Sequence, residues 1–319
     1  MNKLSFRSLL RVGLFVGLLL PSAAIAAENL VGADLRGKDF SGADLQGANL
    51  VGANLTGANL TGANLKGADL REAYLRGARG VSADFSNANL GNSDLTRGKF
   101  QNANFEGANL TLATVEAANL SGAKFKRAFL AGASLFKANL SAADFESATL
   151  VDANLTQADL RGANLKNADL GNRELGYLVP AAARMKGVDL TNANLEGANL
   201  MGVDLRDAIL TGANFARSNL GHADLTWARA AGANFSQAKL PWALAYGAVM
   251  TKTNFKNANL TSVQFSGADL SGANFDGANI ERADFSQSTL TGVSATGTKF
   301  DRVFTAAAKN IPTTIAGGE

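Results

Sequence analysis

A large apolar residue recurs at every fifth position from Leu30 to Phe300. Of these 55 centres, 33 are Leu, 13 are Phe and four are Val, Met or Ile. Only Gly80, Pro180, Ala230, Ala245 and Ala295 depart. Two residues before the centre, 41 of 55 positions are Ala; one residue before it, 35 of 55 are Asn or Asp. Typical stretches are Ala43-Asp44-Leu45-Gln46-Gly47 and Ala193-Asn194-Leu195-Glu196-Gly197. A period of five suits neither a helix, which buries a stripe at 3.6, nor a strand, which alternates at two. It closes only if the chain turns a corner at each repeat, four repeats making one square coil of about 20 residues.

The positions take roles from that geometry. Centre and Ala point inward, and Ala must be small because four such pairs share a narrow, close-packed interior. Gly is common two after the centre, where a tight turn asks for positive φ. Asn and Asp are short enough to bond the turn backbone. Phenylalanine gives a separate measure of coil length. Phe85, Phe105, Phe125 and Phe145 are each 20 apart, as are Phe215, Phe235, Phe255 and Phe275. The spacing predicts stacked columns on one face.

The two columns differ in phase by ten. Between them Gly176 to Met185 reads GYLVPAAARM, with Leu178 at an Ala position and Pro180 at a centre. An insertion of about ten residues near 176–185 would bring both columns to one face; two distorted repeats would leave them on opposite faces. Roughly 13 coils at about 4.8 Å give a rod on the order of 60 Å, held mainly by neighbouring coils. Residues 301–319 lose the repeat and read as a tail, a cap or a homodimer contact at the C-terminal end. Glu28 and Lys38 take inward positions near the start and would keep that end unpaired.

Residues 1–26 read as a secretory signal. Lys3, Arg7 and Arg11 precede the apolar run Val12–Leu20, and Ala24-Ile25-Ala26 fits a small-x-small cleavage site. The run is too short for a bilayer-spanning helix of ~20 residues. A retained anchor is the alternative. The whole chain carries 30 Lys+Arg and 27 Asp+Glu. Loss of the three signal cations would leave a balanced mature chain, with no basic surface for nucleic acid. The expected location is a periplasm, an equivalent lumen or the medium, without stable membrane insertion after cleavage.

This pattern resembles the pentapeptide-repeat family, whose motif is A-(D/N)-L-x-x, over residues 28–300. The resemblance implies an all-β fold, a right-handed quadrilateral parallel β-helix. It implies little about function, because the motif residues build and line the coil. One branch of the family protects DNA gyrase by imitating DNA, with a strongly acidic surface and a cytoplasmic location. This chain departs from both features.

Signals for chemistry are thin. Ser121-Gly122-Ala123-Lys124 and Ser236-Gln237-Ala238-Lys239 match S-x-x-K, but both follow from the repeat and neither has a downstream K-T-G. His222 is the single histidine and there is no cysteine, so no metal site, cofactor or catalytic residue is expected. A hydrolase with carboxylates on one face is a secondary reading. Departures on the outer surface are more informative. Apolar residues occupy the polar position at Tyr74, Phe129, Ile209, Leu244 and Val249. Phe136, Tyr177, Trp227, Trp242 and Tyr246 lie outside the core frame. The candidate protein contacts are therefore Tyr177, Leu178, Trp227, Trp242 and Tyr246. Alternatively, the tryptophans fill space left by Ala230 and Ala245. The functional expectation is an exported, non-enzymatic scaffold that binds a protein.

Overall fold

The computed structural model describes residues 29–171 and 182–312. The chain divides into two compact units at Asn139/Leu140. Each is a four-sided coil of single parallel bridges, without helix or extended strand among the described residues. In the first unit the bridge partners are 20 residues apart, from Asn29–Asn49 to Asn119–Asn139. This is the right-handed quadrilateral β-helix that the family resemblance implies.

The destinations of the backbone N–H groups explain the repeat. The Ala N–H closes a turn onto the preceding centre, as in Ala53 to Leu50 O at 2.9 Å. The Asn/Asp N–H bonds the coil before, as in Asn54 to Ala33 O at 2.9 Å. Centre and second turn residue bond the coil after: Leu55 to Tyr74 O at 2.7 Å and Gly57 to Arg76 O at 2.9 Å. One donor remains, on the first turn residue. It goes to the Asn or Asp side chain two residues earlier, as in Thr56 N to Asn54 Oδ1 at 3.1 Å and Ser86 N to Asp84 Oδ1 at 2.9 Å. Asn and Asp thus recur because they accept the one N–H that the coil leaves over. Many also bond along the coil axis; Asn214 Nδ2 reaches Asn194 Oδ1 at 3.0 Å and Asn234 Nδ2 reaches Asn214 Oδ1 at 2.9 Å.

The interior is as the pattern predicts. Centres and alanines are buried through nearly all of both units. Phe85, Phe105 and Phe125 stack in the first, with centroids 4.9 and 5.0 Å apart. Phe215, Phe235, Phe255 and Phe275 stack in the second at 4.6, 5.4 and 5.1 Å. Serines at the Ala position keep their hydroxyls satisfied: Ser93, Ser218 and Ser288 each donate to the carbonyl three residues back at 2.6 Å. Gly80 owes its place to a residue 20 positions on. A Cβ there would meet the Phe100 ring at 2.6 Å, and one on Gly98 would meet it at 2.2 Å. Phe100 takes the volume that both glycines leave empty.

In the second unit the bridge interval lengthens once. Asn154 pairs with Arg184, Asp159 with Asp189, Asn164 with Asn194 and Asp169 with Asn199, each 30 apart. Ala183 N donates to Leu170 O at 2.8 Å, the turn bond that elsewhere spans three residues. The surplus residues therefore enter at a turn, between Gly171 and Ala182. The expected 176–185 boundaries need correction, because Ala183 and Met185 are inward and Arg184 is in the ladder. Hydrogen bonds then link Phe145, Leu165, Leu195 and Phe215 through consecutive coils of one file.

Two further expectations shift at the far end. Repeat geometry continues past residue 300, with Asp284 bridging Phe304 and Thr289 bridging Lys309, because Val303 and Thr305 supply inward residues. Phe300, expected inside, stays 37% exposed in this last coil. Lys38 lies half-buried at its inward position. Residues 1–28, which include the expected signal and Glu28, lie outside the described residues. Among the described residues no helix is long and apolar enough to cross a membrane.

Four aspartates hold the arginine two residues on: Arg36 on Asp34, Arg71 on Asp69, Arg161 on Asp159 and Arg206 on Asp204, at 2.6–2.7 Å. The arginine hydrogen bond is the main reason each of these carboxyls is depressed, Asp34 to about 2. Asp39 is lowered chiefly by the Ser41 N–H, and Asp276 chiefly by the Ser294 hydroxyl. A folded-state pKa below the unfolded value of ~3.9 gives stability that is full above that pH and is lost on acidification. Thermal unfolding should thus vary little between neutral pH and about pH 5, and the midpoint should drop progressively below about pH 4. A midpoint that rises on acidification would contradict the pairing.

The Gly80–Phe100 relation predicts a compensating pair. Gly80→Ala should cost about 1–3 kcal/mol in the wild type, from overpacking against the ring. In a Phe100→Leu background the same change should cost less than about 0.5 kcal/mol. Urea unfolding of the four proteins measures the coupling, and strict additivity would refute it.

Candidate functional site: an aromatic corner

Every second turn residue in the described chain has positive φ. Where it is not Gly it is mostly polar, as expected for a conformation that L-residues adopt at a cost of roughly 1–2 kcal/mol. Trp227 (φ 61°) and Trp242 (φ 62°) are the only Phe, Tyr or Trp residues at this position among those described. Both indoles face out, 64% and 52% exposed.

Side chains at this position lean onto the same position of the next coil. Asn87 reaches over Gly107, Asn102 over Gly122 and Asn257 over Gly277. Trp227 does the same to Gly247. A Cβ on Gly247 would meet ring atoms Cζ3, Cε3 and Cη2 at 2.2, 2.5 and 2.7 Å. The indole therefore lies across the backbone, with glycine as its seat and its other face open. Ser262 follows Trp242 in file and is 3% exposed, the one buried residue at this turn position among those described.

The two tryptophans bracket one side of the second unit. From Trp242 that side runs through Ala243, Leu244 and Ala245 to Tyr246. Trp227 N donates to Tyr246 O at 2.9 Å, so Trp227 and Tyr246 share a corner. The Tyr246 hydroxyl donates to Gln264 Oε1 at 3.4 Å. Half-buried Leu244 faces out on the side, and exposed Val249 lies just beyond the corner. His222 is exposed at a second turn position, in file with Trp242.

The structure thus gathers Trp227, Tyr246, Leu244 and Val249, with Trp242 at the far end of the same side. Tyr177 and Leu178 lie outside the described residues. The alternative in which tryptophan fills the gaps at Ala230 and Ala245 is contradicted, because the indoles are outside. The residue next in file after each small centre, Met250 and Phe265, is long and fully buried. Sequence reading missed Leu112 in the first unit. It is exposed, as is Phe129, and leans on Gly132, with Cδ2 2.7 Å from a Cβ built there. An apolar residue at a positive-φ turn position was the available signal.

Many carboxylates in this fold are tied up. They accept turn N–H groups and arginine N–H groups, as described for Asp69, Asp159 and Asp204. Among the described residues no cluster of His, Cys, Asp and Glu could hold a metal ion.

Comparison with known proteins agrees with the architecture. The model of pentapeptide repeats matches residues 29–97, 99–172 and 182–304 in successive segments. HetL, from the cyanobacterium Nostoc sp. strain PCC 7120, is a pentapeptide-repeat protein involved in heterocyst differentiation regulation. It is 30% identical over 72% of this chain and 87% of its own, with a TM-score of 0.25. QnrB1, a plasmid-mediated fluoroquinolone resistance protein, is 20% identical over 58% of this chain and 90% of its own, with a TM-score of 0.27. Rfr23, from the cyanobacterium Cyanothece 51142, is 24% identical over 46% of this chain and 91% of its own, with a TM-score of 0.26. No curated protein sequence matches. On the extent of the repeat match, this chain belongs to the pentapeptide-repeat family.

Proposed function

We propose that the chain is an exported, non-enzymatic scaffold that binds a partner protein through the aromatic corner of its second unit. The observation that carries this reading is the placement of Trp227 and Trp242. A bulky side chain at positive φ is a strained choice where glycine would carry no steric strain. Each indole also leaves an apolar face in water, which nothing in the interior requires. Aromatic residues in that setting are what protein interfaces use as anchors. The non-enzymatic part is supported by the state of the carboxylates. Those held below their usual range by arginine and turn N–H groups are poor proton carriers near neutral pH. Export rests on residues 1–26.

The corner makes a separable prediction. Trp227→Ala and Trp242→Ala should leave the unfolding midpoint unchanged or slightly raised, because the lost contacts are at the surface. Each should weaken capture of the partner from host extract by about tenfold or more. Gly247→Ala should weaken capture as well, since its Cβ displaces the Trp227 ring. Equal recovery of DNA gyrase by wild type and both variants would replace this reading with gyrase protection. Export is checked by fusing residues 1–26 to alkaline phosphatase, which is active only outside the cytoplasm. Activity should appear, and Leu18→Arg should abolish it.

A further inference from the structure

The first unit carries a second surface of different chemistry. One of its corners holds, on successive coils, Arg76, then Thr96 and Arg97, then Glu116 and Ala117, then Phe136 and Lys137. The adjoining side adds Arg79 and Lys99, which bridge each other on neighbouring coils. A groove of about 350 Å³ opens along the corner, with Arg76, Arg97, Glu116, Phe136 and Lys137 in its walls. Ala117 keeps it open between Arg97 and Lys137. Tyr74, 51% exposed, stands on the side that leads into Arg76.

Charge here is out of balance. Arg36, Arg71 and Arg127 in the same unit each hold a carboxylate. At the groove, Asp94 lies 3.6 Å from Arg76, and Glu116 accepts the Ser134 hydroxyl at 2.8 Å. Arg79 donates to the Thr61 hydroxyl at 3.2 Å. Arg97, Lys99 and Lys137 have no carboxylate partner among the described residues. Lys137 Nζ sits instead 5.0 Å from the Phe136 ring centroid.

We propose that this groove binds a linear acidic polysaccharide of the uronate class, lying along the coil axis. Arg97, Lys99 and Lys137 meet its carboxylates, and Phe136 and Tyr74 offer ring faces to its sugars. Positive excess selects an anion, and the open groove selects a chain rather than a buried small molecule. Spacing selects the kind of chain. Arg97 and Lys99 lie on one coil and Lys137 two coils on, at a rise of about 4.8 Å per coil set by the backbone ladder. A uronate polymer carries one carboxylate per sugar ring, a repeat close to that rise. An extended acidic peptide presents side chains on one face every ~6.6 Å and falls out of register. The site is in the first unit, so its failure leaves the aromatic corner untouched.

The test is calorimetric binding of a defined-length oligogalacturonate to the full chain. Binding should weaken as salt rises and should vanish for the methyl ester of the same oligomer. Arg97→Ala with Lys99→Ala should weaken it by about tenfold or more. Lys252→Ala with Lys256→Ala in the second unit should leave it unchanged. Arg97→Gly, which relieves the positive φ at that residue, should also weaken binding without loss of fold. Undetectable binding of the oligogalacturonate, equal binding by the Arg97/Lys99 variant, or tighter binding of polyglutamate would each overturn the proposal.

Discussion

The hydrogen bonds between successive coils govern the rest of this structure. Three of the five backbone N–H groups in a repeat go to a neighbouring coil, one closes a turn and one is taken by an Asn or Asp side chain. This arrangement satisfies the backbone without helix or broad sheet, and it fixes both the 20-residue closure and the rise. It also limits where the chain can change. Additional residues can enter only at a turn, where the ladder is not broken, as between Gly171 and Ala182. A small inward residue must be offset along its own file, as Phe100 does for Gly80.

Much of this was legible in the sequence. The centre residues, the inward alanines and the 20-residue phenylalanine spacing are direct consequences of the ladder and reappear in the coil. What escaped depends on contacts one coil away. Gly80 looks like a weakened centre until Phe100 is placed above it. Ala183 and Met185 look like part of an insertion until the turn bond from Ala183 to Leu170 is seen. The repeat seems to stop at Phe300 because Val303 and Thr305 are poor matches to the motif, yet they serve as inward residues.

The candidate sites were legible to different degrees. Trp227, Trp242 and Tyr246 stand out because the outer positions otherwise follow a polar pattern. Their arrangement needs the coil: Trp227 and Tyr246 are 19 residues apart in sequence and share a corner. The basic groove was hidden by bulk composition. A near balance of charge over the chain says nothing about local separation, and Arg97 and Lys137 form no ion pair with a carboxylate among the described residues. Interior residues, which dominate the family match, carry none of this information, so binding is written at the turns and outward positions.

Amide hydrogen exchange, resolved residue by residue, tests the hydrogen-bond account most directly. First turn residues that follow an Asn or Asp, such as Thr56, Ser86 and Thr111, should be protected. Those that follow another residue, such as Arg76, Gln101 and Ala131, should exchange fast while their neighbours stay slow. Protection without a five-residue rhythm, or equal protection of the two sets, would contradict the role assigned to Asn and Asp.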